Sequence, residues 1–182
     1  MSRSAASESP AAIRILTGAD AADFQRLRLA GLVECPQAFG ESAAEFRGTS
    51  LDATAQRLRE STGEQFVVGA FVDDALVGVA GFFRRTSEKR RHSGNIWGMY
   101  VDAAFRRRGI ARALLEAVLA RAASIDGLRQ ITLSVAATQP AARALYDALG
   151  FEVFGVEQRS LCVDGVYVDE EHRMLDLDRA RR

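Results

Sequence analysis

Three arginines followed by a glycine and, two positions on, an alanine (Arg106-Arg107-Arg108-Gly109-Ile110-Ala111) form the stretch of this chain best suited to chemistry with an anion. Gly109 and Ala111 let backbone approach backbone or ligand closely. A helix starting here aims its unpaired N–H groups and positive dipole end at the same point. The arginines add mobile positive charge beside those amides, and a pyrophosphate is the ligand such a turn would hold. Taken alone, the same letters also describe a solvated basic loop ahead of an ordinary helix. The flanking segments decide between the two.

Residues 95–101 have strand character, and 109–124 place Ile110, Leu114, Leu115, Val118 and Leu119 on one helical face, with Gly127 closing the helical region. Residues 130–135 alternate as a strand. Residues 140–149 read as a helix with Pro140 in its first turn and Gly150 as its stop. A strand–helix–strand unit needs a right-handed crossover, so 95–101 and 130–135 form a parallel pair. The Arg-Gly turn then sits at the carboxyl end of a parallel strand, where open α/β sheets bind ligands. Upstream, the pattern predicts a strand at 13–16, a helix over 19–32, a loop over 33–49 and a helix over 51–60. Two antiparallel hairpins are expected, 65–72 with 75–84 across Asp73-Asp74, and 151–163 with 166–177 across Asp164-Gly165.

At 182 residues the chain is one domain's worth. We read a frayed start over residues 1–10 and a single domain over 11–178. Lysine plus arginine and aspartate plus glutamate both total 24, so no global field favours nucleic acid or a membrane surface, and anion binding must be local. Two cysteines, Cys35 and Cys162, and two histidines, His92 and His172, show no metal-ligand spacing, so no metal site is expected. Without an apolar signal segment or a run of membrane-spanning length, a cytoplasmic location is expected. A Gly-x-Gly-x-x-Gly dinucleotide fingerprint is missing after Val101.

Met99-Tyr100-Val101-Asp102, Arg106-x-x-Gly109-Ile110-Ala111 and Leu114-Leu115 together resemble motif A of the GNAT family of N-acetyltransferases. Residues 139–151, ending Leu145-Tyr146-x-x-x-Gly150-Phe151, are similar to its motif B at the family's spacing of about 35 residues. Residues 75–81 resemble the preceding hairpin, so the likeness spans roughly 66–177. It departs from the pattern at Gln139, where Asn is commoner, and at Ala111, where Gly often stands. The resemblance implies a GNAT-like α/β (α+β) fold, a mixed and mostly antiparallel sheet with a central parallel strand pair and about four helices.

The resemblance also implies acetyl transfer from acetyl-CoA to a primary amine by direct attack in a ternary complex. Cofactor contacts are then expected at Met99, Tyr100, Val101, Arg106, Arg107, Arg108, Gly109, Ile110, Ala111, Arg112, Gln139 and Tyr146. A bulge near Gly98 would splay the strand to admit the pantetheine arm, with close packing the other use of that glycine. The Val101 N–H is the expected oxyanion donor and Tyr146 the general acid toward the departing thiolate. Glu41 is taken as the base, with Glu34, His92 and Glu157 the other candidates. Both cysteines lie outside the motifs, which leaves an acetyl-cysteine intermediate unsupported. A small-molecule amine is the expected acceptor. Alternatives are a protein N-terminus, suggested by Tyr167-Val168-Asp169-Glu170-Glu171, and a non-catalytic acyl-CoA sensor. Sheet edges of this kind are often covered by pairing, which makes a homodimer a further expectation.

Overall fold

The computed structural model describes residues 10–180, so the stretch expected to be frayed lies outside the described residues apart from Pro10. One seven-stranded sheet runs in the order β1 (Ala12–Ile15), β2 (Gln65–Val72), β3 (Ala75–Arg84), β4 (Ser93–Val101), β5 (Gln130–Ala136), β7 (Val166–Asp176), β6 (Glu152–Val163). All neighbours are antiparallel except β4 and β5, the parallel pair required by the crossover between them. Both tight hairpins form where their turn residues tolerate left-handed backbone. Asp73 and Asp74 have φ of 47° and 63°, and Asp164 and Gly165 have 51° and 79°. Such pairs match the twist of antiparallel strands.

Among the described residues four helices have two turns or more, as expected: α1 (Ala21–Glu34), α3 (Leu51–Arg59), α4 (Ile110–Ala123) and α5 (Pro140–Ala148). Two single-turn pieces, α2 (Ala43–Arg47) and α6 (Leu177–Ala180), join them. The segment read as a loop over 33–49 therefore contains a helix. A Ser-x-x-Glu capping box starts it: Ser42 Oγ accepts from the Glu45 N–H at 3.2 Å, and Glu45 accepts from the Ser42 N–H at 2.8 Å. Buried Phe46 anchors it to the core.

The sheet separates two apolar layers. On one face α4 buries Leu114, Leu115 and Val118 against Phe66, Phe82 and Ile131. On the other, α1 and α3 bury Phe24, Leu27, Leu32 and Leu58 against Val79 and Tyr100. Each such side chain is worth about 1.5–3 kcal/mol on burial, so both helical layers are held rigidly against β4. No helix among the described residues is long and apolar enough to cross a membrane.

Candidate active site

Strands β4 and β5 pair over only three residues each, Ser93 with Gln130 through Asn95 with Thr132. Beyond them the two strands part. The cause lies in β4: Tyr100 pairs with Val79 and Trp97 with Gly81, so one residue too many is inserted on the β4 side. Gly98 takes φ +64°, which makes it the bulge that bends β4 away from its neighbour. Asp102 donates its N–H to Val77 O on β3 at 2.9 Å. In an antiparallel ladder successive N–H groups alternate sides, so the Val101 N–H points away from β3 into the fork. A cavity of about 640 Å³ fills that fork, walled by β4, the turn after it, β5 and α5.

At one end of the cavity lies the turn. Gly109 caps α4 in the left-handed region at φ +76°, and Arg107 shares that conformation at φ +63°. The N–H groups of Ile110, Ala111 and Arg112 have no carbonyl four residues back inside the helix. All three residues line the cavity, as do Arg107 and Gly109. Space around Gly109 is open, with no atom within 4 Å of where a Cβ would stand. A cradle of backbone donors, positive helix end and guanidinium groups fits a diphosphate.

The arginines divide the work. Arg106 lies at the cavity wall, but its side chain is turned back. Its Nε donates to Val101 O at 2.9 Å and its guanidinium meets Glu34 at 2.8 Å. Tyr100 donates its phenol O–H to the same carboxylate. These two donors hold the Glu34 carboxyl below its usual range, the Tyr100 bond contributing most. Burial, reinforced by Glu34, pushes the Tyr100 phenol up. Arg108 lies over the Phe105 ring, 5.2 Å from its centroid, rather than in the cavity lining.

At the other end stands Tyr146 of α5, 6% exposed, with its O–H directed at Met99 Sδ 3.8 Å away and its ring edge-on to Phe151. Burial pushes its phenol up to about 12, with Arg173 opposing weakly. It is therefore a protonated group at neutral pH, held inside the fork. Gln139, the residue capping α5, also lines the cavity.

The model of the Acetyltransferase (GNAT) family matches residues 35–151. This protein belongs to the GNAT acetyltransferases, and its cosubstrate is acetyl-CoA. No curated protein matches its sequence. Its fold is shared with solved structures. One is YncA from Salmonella typhimurium, solved with its cofactor acetyl-CoA (TM-score 0.81, 20% identity, covering 93% of this chain and 95% of that one). Another is a phosphinothricin acetyltransferase from Sinorhizobium meliloti in complex with acetyl-CoA (TM-score 0.79, 23% identity, 92% and 88%). A third is a ribosomal-protein-alanine N-acetyltransferase from Brucella melitensis (TM-score 0.77, 23% identity, 91% and 99%).

Within this GNAT chain the base candidates part company. Glu34 is committed to Tyr100 and Arg106. Glu41 accepts from Arg28 at 3.2 Å. His92 precedes β4, at the end of the strand away from the fork. Glu157 lies 3.1 Å from His172 Nε2, and His172 Nδ1 lies 2.9 Å from Ser134 Oγ, which reaches the cavity wall. Sequence reasoning missed this chain because its members come from three strands, and only the β5–β7 and β6–β7 registers bring them together. It also set Cys35 aside, whereas the end of α1 brings Cys35 to the cavity lining. The acidic stretch 169–171 is satisfied internally. Asp169 accepts from the Arg159 N–H, Glu170 from Ser160, and buried Glu171 from Arg143 and Arg173.

Proposed function

We propose that this GNAT protein is an N-acetyltransferase that moves the acetyl group of acetyl-CoA to the primary amine of a small molecule in the cytoplasm, by direct attack in a ternary complex. The observation that carries the reading is a protonated, buried phenol, Tyr146, facing Met99 inside a fork with the Arg107–Arg112 cradle at its mouth. In this reading the diphosphate rests on the N–H groups of Gly109 to Arg112 with the Arg107 and Arg112 side chains beside it, while Arg106 braces the turn through Glu34 and Arg108, over Phe105, adds only its charge from outside the lining. The pantetheine arm, peptide-like in its amides, lies along Met99 to Val101, and Gln139 meets it from α5. The Val101 N–H stabilises the oxyanion as the amine attacks. Tyr146 then protonates the departing thiolate.

An ammonium must lose its proton before attack. Glu41 is the proposed acceptor of that proton. The Ser134–His172–Glu157 chain offers a second exit, favoured by Ser134 lying in the cavity wall itself. The acidic residues that suggested a protein N-terminus as acceptor are engaged by partners in the β6–β7 hairpin and by Arg143 of α5, which favours the small-molecule reading. Val153, Phe154, Val156, Val166 and Tyr167 are exposed on that hairpin at the sheet edge, and we assign this strip to a homodimer contact.

The test is release of free CoA thiol from acetyl-CoA against a panel of amino acids, polyamines, aminoglycosides and N-terminal peptides. Intersecting initial-rate patterns with a small amine, retained in a Cys35→Ser variant, are the expected result. Acetyl-CoA binding without thiol release in any case would favour the sensor. Parallel patterns, abolished in Cys35→Ser, would replace direct attack by an acetyl-cysteine route.

A further inference from the structure

Helix α1 follows β4 residue by residue. Its C-terminal end meets Arg106 through Glu34, Gly31 lies flat on the Tyr100 ring, and one turn earlier Arg28 reaches the bulge at Gly98. Arg28 is unusual for a cation in being only 6% exposed. Its Nη2 donates to Glu41 at 3.2 Å, and its guanidinium stacks 4.6 Å from the Phe39 ring centroid. Its Nη1 is buried with no hydrogen-bond partner. A Cβ on Gly98 would stand 3.6 Å from that nitrogen, an ordinary contact distance, so Nη1 packs next to the Gly98 backbone, which itself lines the cavity. Arg57, stacked on Trp97 at 4.4 Å, adds a second positive charge on the same face and opposes Arg28 ionisation, as burial does more strongly.

A buried guanidinium held by one half-exposed carboxylate, with a donor left over, is an incomplete site. Leaving such a donor unpaired is costly, and a planar guanidinium recovers that cost best from a second planar anion. Phe39, Trp97 and Gly98 all line the cavity. The segment between Phe39 and Ser42 that covers the guanidinium has neither helix nor strand to hold it down. Glu41 beside Arg28 supplies the opposite charge one guanidinium away.

We propose that Arg28 is the specificity residue for the acceptor, and that the acceptor is a zwitterion of the α-amino-acid type. Its carboxylate completes the hydrogen bonding of Arg28 Nη1 under Gly98, and its amine lies on the Glu41 side, turned to the acetyl group. The inference rests on the N-acetyltransferase reading. It narrows that reading from any small amine to one bearing an adjacent carboxylate.

The experiment compares L-α-amino acids with their own primary carboxamides in the thiol-release assay, using the full chain, wild type and Arg28→Gln, with Arg28→Lys as the charge-keeping variant. One charge-assisted hydrogen bond made inside the protein corresponds to about tenfold or more in kcat/KM for acid over amide. In Arg28→Gln that ratio should fall to near one through the KM for the acid, while the KM for acetyl-CoA moves far less, and Arg28→Lys should recover part of it. Equal use of acid and amide by the wild type overturns the proposal without any variant, so a misfolded Arg28→Gln does not shield it. An Arg28→Gln loss shared equally by acid and amide overturns it too. Should no amine release thiol, the N-acetyltransferase reading falls. Calorimetry of the amino acids on CoA-loaded protein then decides the anion site: heat that is lost in Arg28→Gln supports it, and no heat overturns it.

Discussion

Replacing Tyr146 by Phe removes one oxygen and little else. The ring keeps its edge-on contact with Phe151, 5.8 Å between centroids, and among the described residues the hydrogen bond forfeited is the long one to Met99 Sδ. Folding stability at neutral pH should therefore change by less than about 1 kcal/mol. Loss of a positioned proton donor is worth roughly 10²–10⁴-fold, so kcat should fall by that factor while calorimetric affinity for acetyl-CoA stays within about twofold. The phenol also leaves a mark on stability at high pH. Its folded value of about 12 lies above the ordinary 10. Between these values the native chain holds a proton that the unfolded chain has released, so the stabilisation is complete below pH 10 and is lost as pH rises toward 12. Two pK units correspond to roughly 3 kcal/mol. Across the window wild type should lose that much more than Tyr146→Phe, measured by urea unfolding, since the raised Tyr100 phenol contributes equally to both. Turnover within threefold of wild type would refute the acid role, and identical alkaline curves would refute the buried phenol.

Other perturbations address the supports of the site. Glu34→Gln releases the clamp that Tyr100 and Arg106 share; the KM for acetyl-CoA should rise severalfold with a smaller change in kcat, and an unchanged KM would show that the turn holds its shape unaided. Gly109→Ala puts a Cβ into open space at φ +76°, so no clash results but left-handed backbone costs about 1–2 kcal/mol. Thermal denaturation should show the loss, together with weaker acetyl-CoA binding. Asp20 accepts from Arg14 at 2.6 and 2.9 Å and from Thr17, and the Arg14 pair chiefly lowers its carboxyl from 3.8 to about 2. That stabilisation is present above pH 4 and is lost as pH falls toward 2. Asp20→Asn should cost roughly 1–2 kcal/mol at neutral pH, after allowance for the half-exposed Arg14, and only a small remainder at pH 2, where the native carboxyl is half protonated, by urea titration at both pH values.

The strands and longer helices were legible because each carries a local signal. Alternation marks β5, a 3.6-residue stripe marks α4, and paired turn residues mark both hairpins. Gly98 was ambiguous, since a glycine in a strand serves close packing or a bulge equally well, and only the register against β3 decides between them. The cradle was legible as a turn. The different duties of Arg106, Arg107 and Arg108 were not, because they depend on Glu34 and Tyr100, far away in sequence. α2 had a readable start at Ser42-x-x-Glu45, overlooked in a stretch rich in glycine and small residues. Ser134, His172 and Glu157 carry no joint pattern at all, and neither does Arg28. A buried cation inside a helix of mixed pattern such as α1 reads as one more surface arginine until its neighbours are known.

The short pairing of β4 with β5 has a thermodynamic consequence. Two central strands that diverge after three residues leave main-chain donors and acceptors in mid-sheet without a neighbour, like a fabric with one thread drawn out. An amide-bearing arm laid along Met99 to Val101 restores the missing thread. In the proposed binding mode the cosubstrate is a structural member of the sheet as well as a reactant. At a hundredfold excess over its Kd it would add about 2.7 kcal/mol to the stability of the native chain. Amides along the fork should exchange with solvent more slowly once it is bound.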